Sequence, residues 1–330
     1  MIKLFQRNIA LQAVLTLVAL LLLWGSSLLA PPSMDAGDHP AVLYSLLCRW
    51  LNSLPRLAVV IAMLLVLVEG VMLNLLLANE GLVSQNSLLP TLLYVVVTSA
   101  GATTLTPIIL VNALAIAVLD QLMLRGTLLT IPTGKACGAT LLIGAASLFY
   151  QPAALLLLSY LLIAANYRLY TWKDWCVMLL GFAAPYITLA LVLYMTDGLA
   201  SWWNDTVACF TSIDLHLGTT GTATTIGGAV LAAVFVWSLL HVGSRLGERP
   251  VLWQRNAATV MLFAVGAAGM LFFAPLLPLR IALFALPFTF CSYRLLTCAT
   301  ETTTGFGRRK KRTWIYDTLL ILIIIAALLC

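Results

Sequence analysis

CGATLLIGAASLFYQPAALLLLSYLLIAAN, residues 137–166, is the stretch on which the topology of this chain turns. Apolar residues continue on both sides of Gln151-Pro152, and a proline there removes a backbone donor and crowds the preceding turn, so a helix breaks or kinks. One kinked helix and two short helices both satisfy the local pattern. Positive charge separates the two, because cytoplasmic loops of membrane proteins collect Lys and Arg. With two crossings here and the N-terminus inside, fifteen of the eighteen Lys and Arg are cytoplasmic, leaving Arg49, Arg56 and Arg280 outside. A single crossing inverts everything downstream and leaves five inside against thirteen outside. Two crossings is the reading adopted.

The rest of the chain supports a bilayer as its solvent. Apolar residues make up 62% and charged residues 9%, against about 25% charged in soluble domains. Runs such as 9–25, 57–78 and 314–330 approach or reach the ~20 residues that span ~30 Å of hydrocarbon as helix. No polar-in, apolar-out alternation suggests a barrel, so helices are the spanning unit. The reading is an all-α, polytopic transmembrane protein in one domain, residues 1–330, with about eleven spans. These are 8–30, 57–77, 88–101, 105–123, 137–150, 152–166, 175–196, 227–243, 257–274, 279–298 and 314–330. The N-terminus, MIKLFQRN, leads an apolar run too long for a signal peptide and is read as the start of the first span. The C-terminus falls on the periplasmic side.

Net charge of +6 is topological. RRKKR (308–312), in the basic cytoplasmic loop 299–313, reads as an anchor beside anionic lipid headgroups, not as a nucleic-acid patch, since no soluble domain presents one. Trp172, Trp175, Trp202, Trp203, Trp253 and Trp314 fall at span ends, as an interfacial belt requires. Seven cysteines show no CxxC or metal spacing and read as small apolar residues; Cys48 and Cys209, both in outer loops, are the pair able to meet.

Two outer loops, 31–56 and 197–226, concentrate acid and imidazole on one face: Asp35, Asp38 and His39 beside Arg49 and Arg56 in the first, Asp197, Asp205, Asp214 and His216 with no Lys or Arg in the second. Such groups suit a general base or a divalent cation, although outer loops poor in Lys and Arg are acidic for topological reasons alone. Within the membrane, Glu69 stands at mid-span in VLVEGVMLN, where an ionisable group costs about 2.5–3.5 kcal/mol on insertion scales. Asn74 follows five residues on, about 140° around the helix. Arg280, between prolines at the outer end of a span, suits a phosphate or carboxylate held bidentately. Signatures of nucleotide hydrolysis, dinucleotide redox, hydrolase elbows and zincins are missing.

Residues 139–199 contain SLFYxP ending one short helix and opening the next, then RxYxWKDW, LGFxxPY and a closing TD. With LLPTLLY (88–94) and PLLPLRIALFALPF (275–288), this pattern resembles a family of bacterial polytopic inner-membrane proteins known by a domain-of-unknown-function label. That resemblance implies a multi-pass protein of the bacterial cytoplasmic membrane. A looser architectural likeness is to the multi-span glycosyltransferases that use polyprenyl-phosphate sugars, with a cytoplasmic N-terminus and an acidic first outer loop. It implies Asp35 or Asp38 as catalytic base or metal holder, with Arg280, Arg49 or Arg56 on the carrier phosphate. The functional expectations are therefore a lipid-linked group transferase at the outer face, needing no cofactor beyond an optional divalent cation, a transporter or lipid flippase working through Glu69, and a scaffold subunit of an envelope complex.

Overall fold

The computed structural model describes residues 9–34, 41–85, 87–100, 104–123, 131–167, 172–211, 222–271, 273, 281–301 and 313–329. Every regular element among them is helical. Four helices are long and apolar enough to cross a membrane: α1 (Ile9–Leu29), α3 (Pro55–Asn79), α8 (Trp172–Met195) and α10 (Thr222–Arg245). Their outward sides carry large exposed side chains, among them Leu22, Leu64, Leu180 and Leu240. A belt of this size is a liability in water and the natural surface in lipid. The chain is a membrane protein.

Between these run shorter apolar helices, α4 (Leu89–Ser99), α5 (Pro107–Leu122), α6 (Thr133–Phe149) and α7 (Leu156–Asn166), followed later by α11 (Val251–Met270), α12 (Ala285–Glu301) and α13 (Thr313–Leu329). Pro55, Pro90 and Pro107 sit in the first turns of α3, α4 and α5, where the missing N–H is no loss and the fixed φ favours a helical start. Each of these helices overlaps an apolar segment that reads as a span, with ends that differ by up to six residues.

At Gln151-Pro152 the chain forms two helices. α6 stops at Phe149, a 3₁₀ turn occupies Gln151–Leu155, and α7 starts at Leu156. The contacts show a reversal. Gly138, near the start of α6, lies against Gln121 at the end of α5. Leu156, the first residue of α7, shares a small void with Val111 near the start of α5 and Met270 at the end of α11. The far end of α7 brings Tyr167 to Asn256 and Thr259, near the start of α11.

Two further helices lie within residues 31–56 and 197–226, which read as loops from the sequence alone. α2 (Val42–Leu51) buries Tyr44 and Cys48 on one side, and α9 (Leu199–Thr211) lies with Trp202 against Tyr186 of α8. Both are amphipathic segments of ten and thirteen residues, too short and too polar to register as spans. Cys48 and Cys209 form no disulfide with each other, and burial pushes the Cys209 thiol up from its ordinary value.

Packing between apolar helices in lipid gains little from the hydrophobic effect and relies on close approach at small residues. α6 and α8 meet in this way. A Cβ built on Gly144 lies 2.6 Å from the Phe182 carbonyl oxygen, and one on Gly181 lies 2.8 Å from the Cys137 carbonyl oxygen. Only hydrogen fits at either position. α11 approaches α7 similarly, with the Gly266 N–H donating to Ser159 Oγ at 2.8 Å.

Candidate functional site

Glu69 is the fifteenth of the twenty-five residues of α3, about 21 Å along its axis at 1.5 Å per residue. It is 3% exposed. Gly70 beside it lets α4 close in, since a Cβ there lies 3.2–3.3 Å from Thr91 and Tyr94. Thr91 Oγ1 donates to the Gly70 carbonyl at 3.2 Å and locks the crossing.

The close crossing delivers a phenol to the carboxyl. Tyr94, fully buried on α4, donates its hydroxyl to Glu69 Oε2 at 2.7 Å. The Asn112 side chain on α5 lies near the Tyr94 hydroxyl, and its Nδ2 donates to the Ala282 carbonyl at 3.0 Å. Glu69, Tyr94 and Asn112 thus form a polar cluster in otherwise apolar packing. Glu69 Oε1 is buried and has no hydrogen-bond partner among the described residues, and the same holds for Asn74 Oδ1. Although Asn74 is some 140° around α3 from Glu69, both are buried, because α1, α4 and α5 all pack against α3.

A second polar junction closes one end of the bundle. α3 ends in a Schellman motif: Gly81 is left-handed at φ +66, its N–H reaches the Ala78 carbonyl, and the Leu82 N–H reaches the Leu77 carbonyl. The cap leaves Glu80 facing α11, where Asn256 Nδ2 donates to Glu80 Oε2 at 3.0 Å. Asn256 Oδ1 accepts from the Tyr167 hydroxyl at 3.3 Å, and that hydroxyl also pairs with Thr259 Oγ1 at 2.8 Å.

The other expected site residues divide. Asp35, Asp38 and Arg280 lie outside the described residues, as do His39, Asp214, His216 and the RRKKR segment. Arg49 and Arg56 are exposed, on α2 and in the first turn of α3. Asp205 is exposed on α9, and Asp197 takes φ 53 in the turn between α8 and α9, a conformation that Asp tolerates better than most residues. No group of three or more His, Cys, Asp or Glu able to hold a metal ion occurs among the described residues.

Among the described sequence candidates, only Glu69 falls in a built polar setting, and its partner Tyr94 and the nearby Asn112 were not anticipated. Their signal was present as a tyrosine and an asparagine inside apolar runs. What sequence could not supply was the pairing across 25 residues. Comparisons with protein-family models, with curated proteins and with solved structures gave no match for this chain.

Proposed function

We propose that the chain is a polytopic carrier of the bacterial cytoplasmic membrane in which Glu69 binds and releases a proton as a solute or lipid passes through the bundle. The observation that carries this reading is the one-sided pairing of Glu69, with Oε2 held by Tyr94 and Oε1 buried without a described partner. A carboxyl kept only for packing would have both oxygens satisfied, as buried polar atoms overwhelmingly are. Intramembrane carboxyls face the bundle interior and mark ion or proton paths.

Eleven spans with a cytoplasmic N-terminus and a periplasmic C-terminus belong to the proposal. Paired helix ends support it. Leu88 N–H at the start of α4 donates to Gln12 of α1, and Trp24 near the end of α1 donates to Ser99 at the end of α4. Glu80, Asn256 and Tyr167 likewise meet where an alternating path brings the corresponding ends together. The outer-face transferase, with Asp35 or Asp38 as base and Arg280, Arg49 and Arg56 on a polyprenyl phosphate, draws on two exposed arginines among the described residues and enters as the competing outcome.

Replacement at the native locus tests the reading. Glu69→Gln, accumulating to the wild-type level, reproduces the deletion phenotype, while Asp35→Asn with Asp38→Asn does not. The reverse pattern moves the function to the outer loop, and two wild-type phenotypes overturn both readings.

A further inference from the structure

Where α10, the 3₁₀ turn Leu246–Glu248 and α11 meet α12, a cavity of about 50 Å³ is lined by His241, Arg245, Glu248, Arg249, Trp253 and Arg294. On the same measure one water needs about 10–15 Å³, so the space admits a group of several heavy atoms. Three guanidiniums face it against one carboxylate. Two of them converge on a single ring, with the Arg249 Cζ 5.7 Å and the Arg294 Cζ 5.3 Å from the Trp253 centroid. The ring face is an electrostatically favourable neighbour for both cations.

The frame around the cavity is fixed. Trp253 packs against Phe290 of α12, and Gln254 Nε2 donates to the Arg249 carbonyl at 2.7 Å, pinning the turn that carries Arg249. On α12, Tyr293 next to Arg294 accepts from the Ser84 N–H at 3.1 Å. His241 Nε2 is buried and has no partner among the described residues. The positive-inside tendency accounts for how many arginines lie at this end of the bundle. It does not account for Arg245 and Arg249, at the end of α10 and just past the 3₁₀ turn, sharing one cavity with Arg294 of α12, an aromatic ring and a histidine.

We infer that this cavity binds a phosphate group, held by the Arg249 and Arg294 guanidiniums with Arg245 and His241 at its edge. Planar guanidiniums match phosphate oxygens bidentately, and basic pockets between membrane helices take phosphate headgroups. The group could be carried by an anionic lipid or by a soluble phosphate compound. The inference does not depend on Glu69.

The test uses the purified full chain. Native mass spectrometry counts phosphatidylglycerol retained against phosphatidylcholine, and a parallel titration with inorganic phosphate follows thermal stability in a zwitterionic detergent. Wild-type protein binds one of the two, and Arg249→Gln and Arg294→Gln each weaken that binding by tenfold or more, in line with the loss of a charge-assisted bidentate pair, about 1.5–3 kcal/mol. Arg294→Lys keeps the charge but loses the fork, so it also weakens binding and guards against misreading a folding defect; the exposed Lys173→Gln is the control without effect. Binding of the lipid alone identifies a headgroup site, and binding of phosphate alone a soluble ligand. Absence of both in wild-type protein, or equal binding by wild type and both Gln variants, overturns the proposal.

Discussion

Tyr94→Phe removes one oxygen from the center of the bundle and leaves the ring in place. Because Glu69 Oε1 already lacks a described partner, loss of the 2.7 Å bond to Oε2 strips the carboxyl of its remaining contact. A buried polar group left in that state costs about 1–3 kcal/mol. Glu69→Leu removes the acceptor of the Tyr94 hydroxyl altogether, so it too costs about 1–3 kcal/mol. The two changes share one bond and should not add. Double-mutant cycles between polar side chains in membranes average about 0.6 kcal/mol with a maximum near 1.7, and a bond whose two groups are both buried belongs in the upper half of that range. Equilibrium unfolding of wild type, both single variants and the double variant in mixed micelles gives the coupling directly. Strict additivity, with Tyr94→Phe costing under about 0.5 kcal/mol, would show that the two groups do not depend on each other and would refute the reasoning.

Other outcomes follow from the packing. Gly144→Val and Gly181→Val force α6 and α8 apart and cost at least about 1–3 kcal/mol each, whereas Gly25→Ala, with nothing within 4 Å of a new Cβ, stays within about 0.5 kcal/mol or gains slightly; the same unfolding measurement checks both. Gly81→Ala, at φ +66, costs about 1–2 kcal/mol and loosens the cap that aims Glu80 at Asn256. Asn256→Leu leaves the Tyr167 hydroxyl and Glu80 each short of a partner and costs about 1–3 kcal/mol. For topology, single cysteines replacing the exposed Trp203 and Trp172 in a cysteine-free background separate the faces: a membrane-impermeant maleimide labels position 203 on intact cells and position 172 only after permeabilization. The opposite order would invert the orientation.

Much of this fold is written in hydropathy, because each spanning helix must satisfy its own backbone and present apolar side chains to lipid. That constraint makes α1, α3, α8 and α10 readable without partners, and Pro152 marks the α6/α7 break through its missing donor. α2 and α9 escaped because an amphipathic helix of one dozen residues carries no spanning signal. Its cue is the i, i+4 spacing of Tyr44 and Cys48, which is easily lost in a polar loop. Glu69 was legible as an expensive residue, since burial of an ionisable group is visible from its flanks alone. Tyr94 and Asn112 were not, because what joins them to Glu69 is the depth at which α3, α4 and α5 cross. The arginines around Trp253 were visible only as a topological sum, which discards the fact that Arg245, Arg249 and Arg294 converge.

The central claim is that Glu69 exchanges a proton within the membrane. Infrared difference spectra recorded during a pH titration of the protein in lipid vesicles address it without knowledge of any substrate. Wild-type protein should show a carboxyl band that appears and disappears reversibly, and Glu69→Gln should lose that band while the remaining carboxyl signals stay unchanged. Identical titrations in wild type and Glu69→Gln would contradict the account.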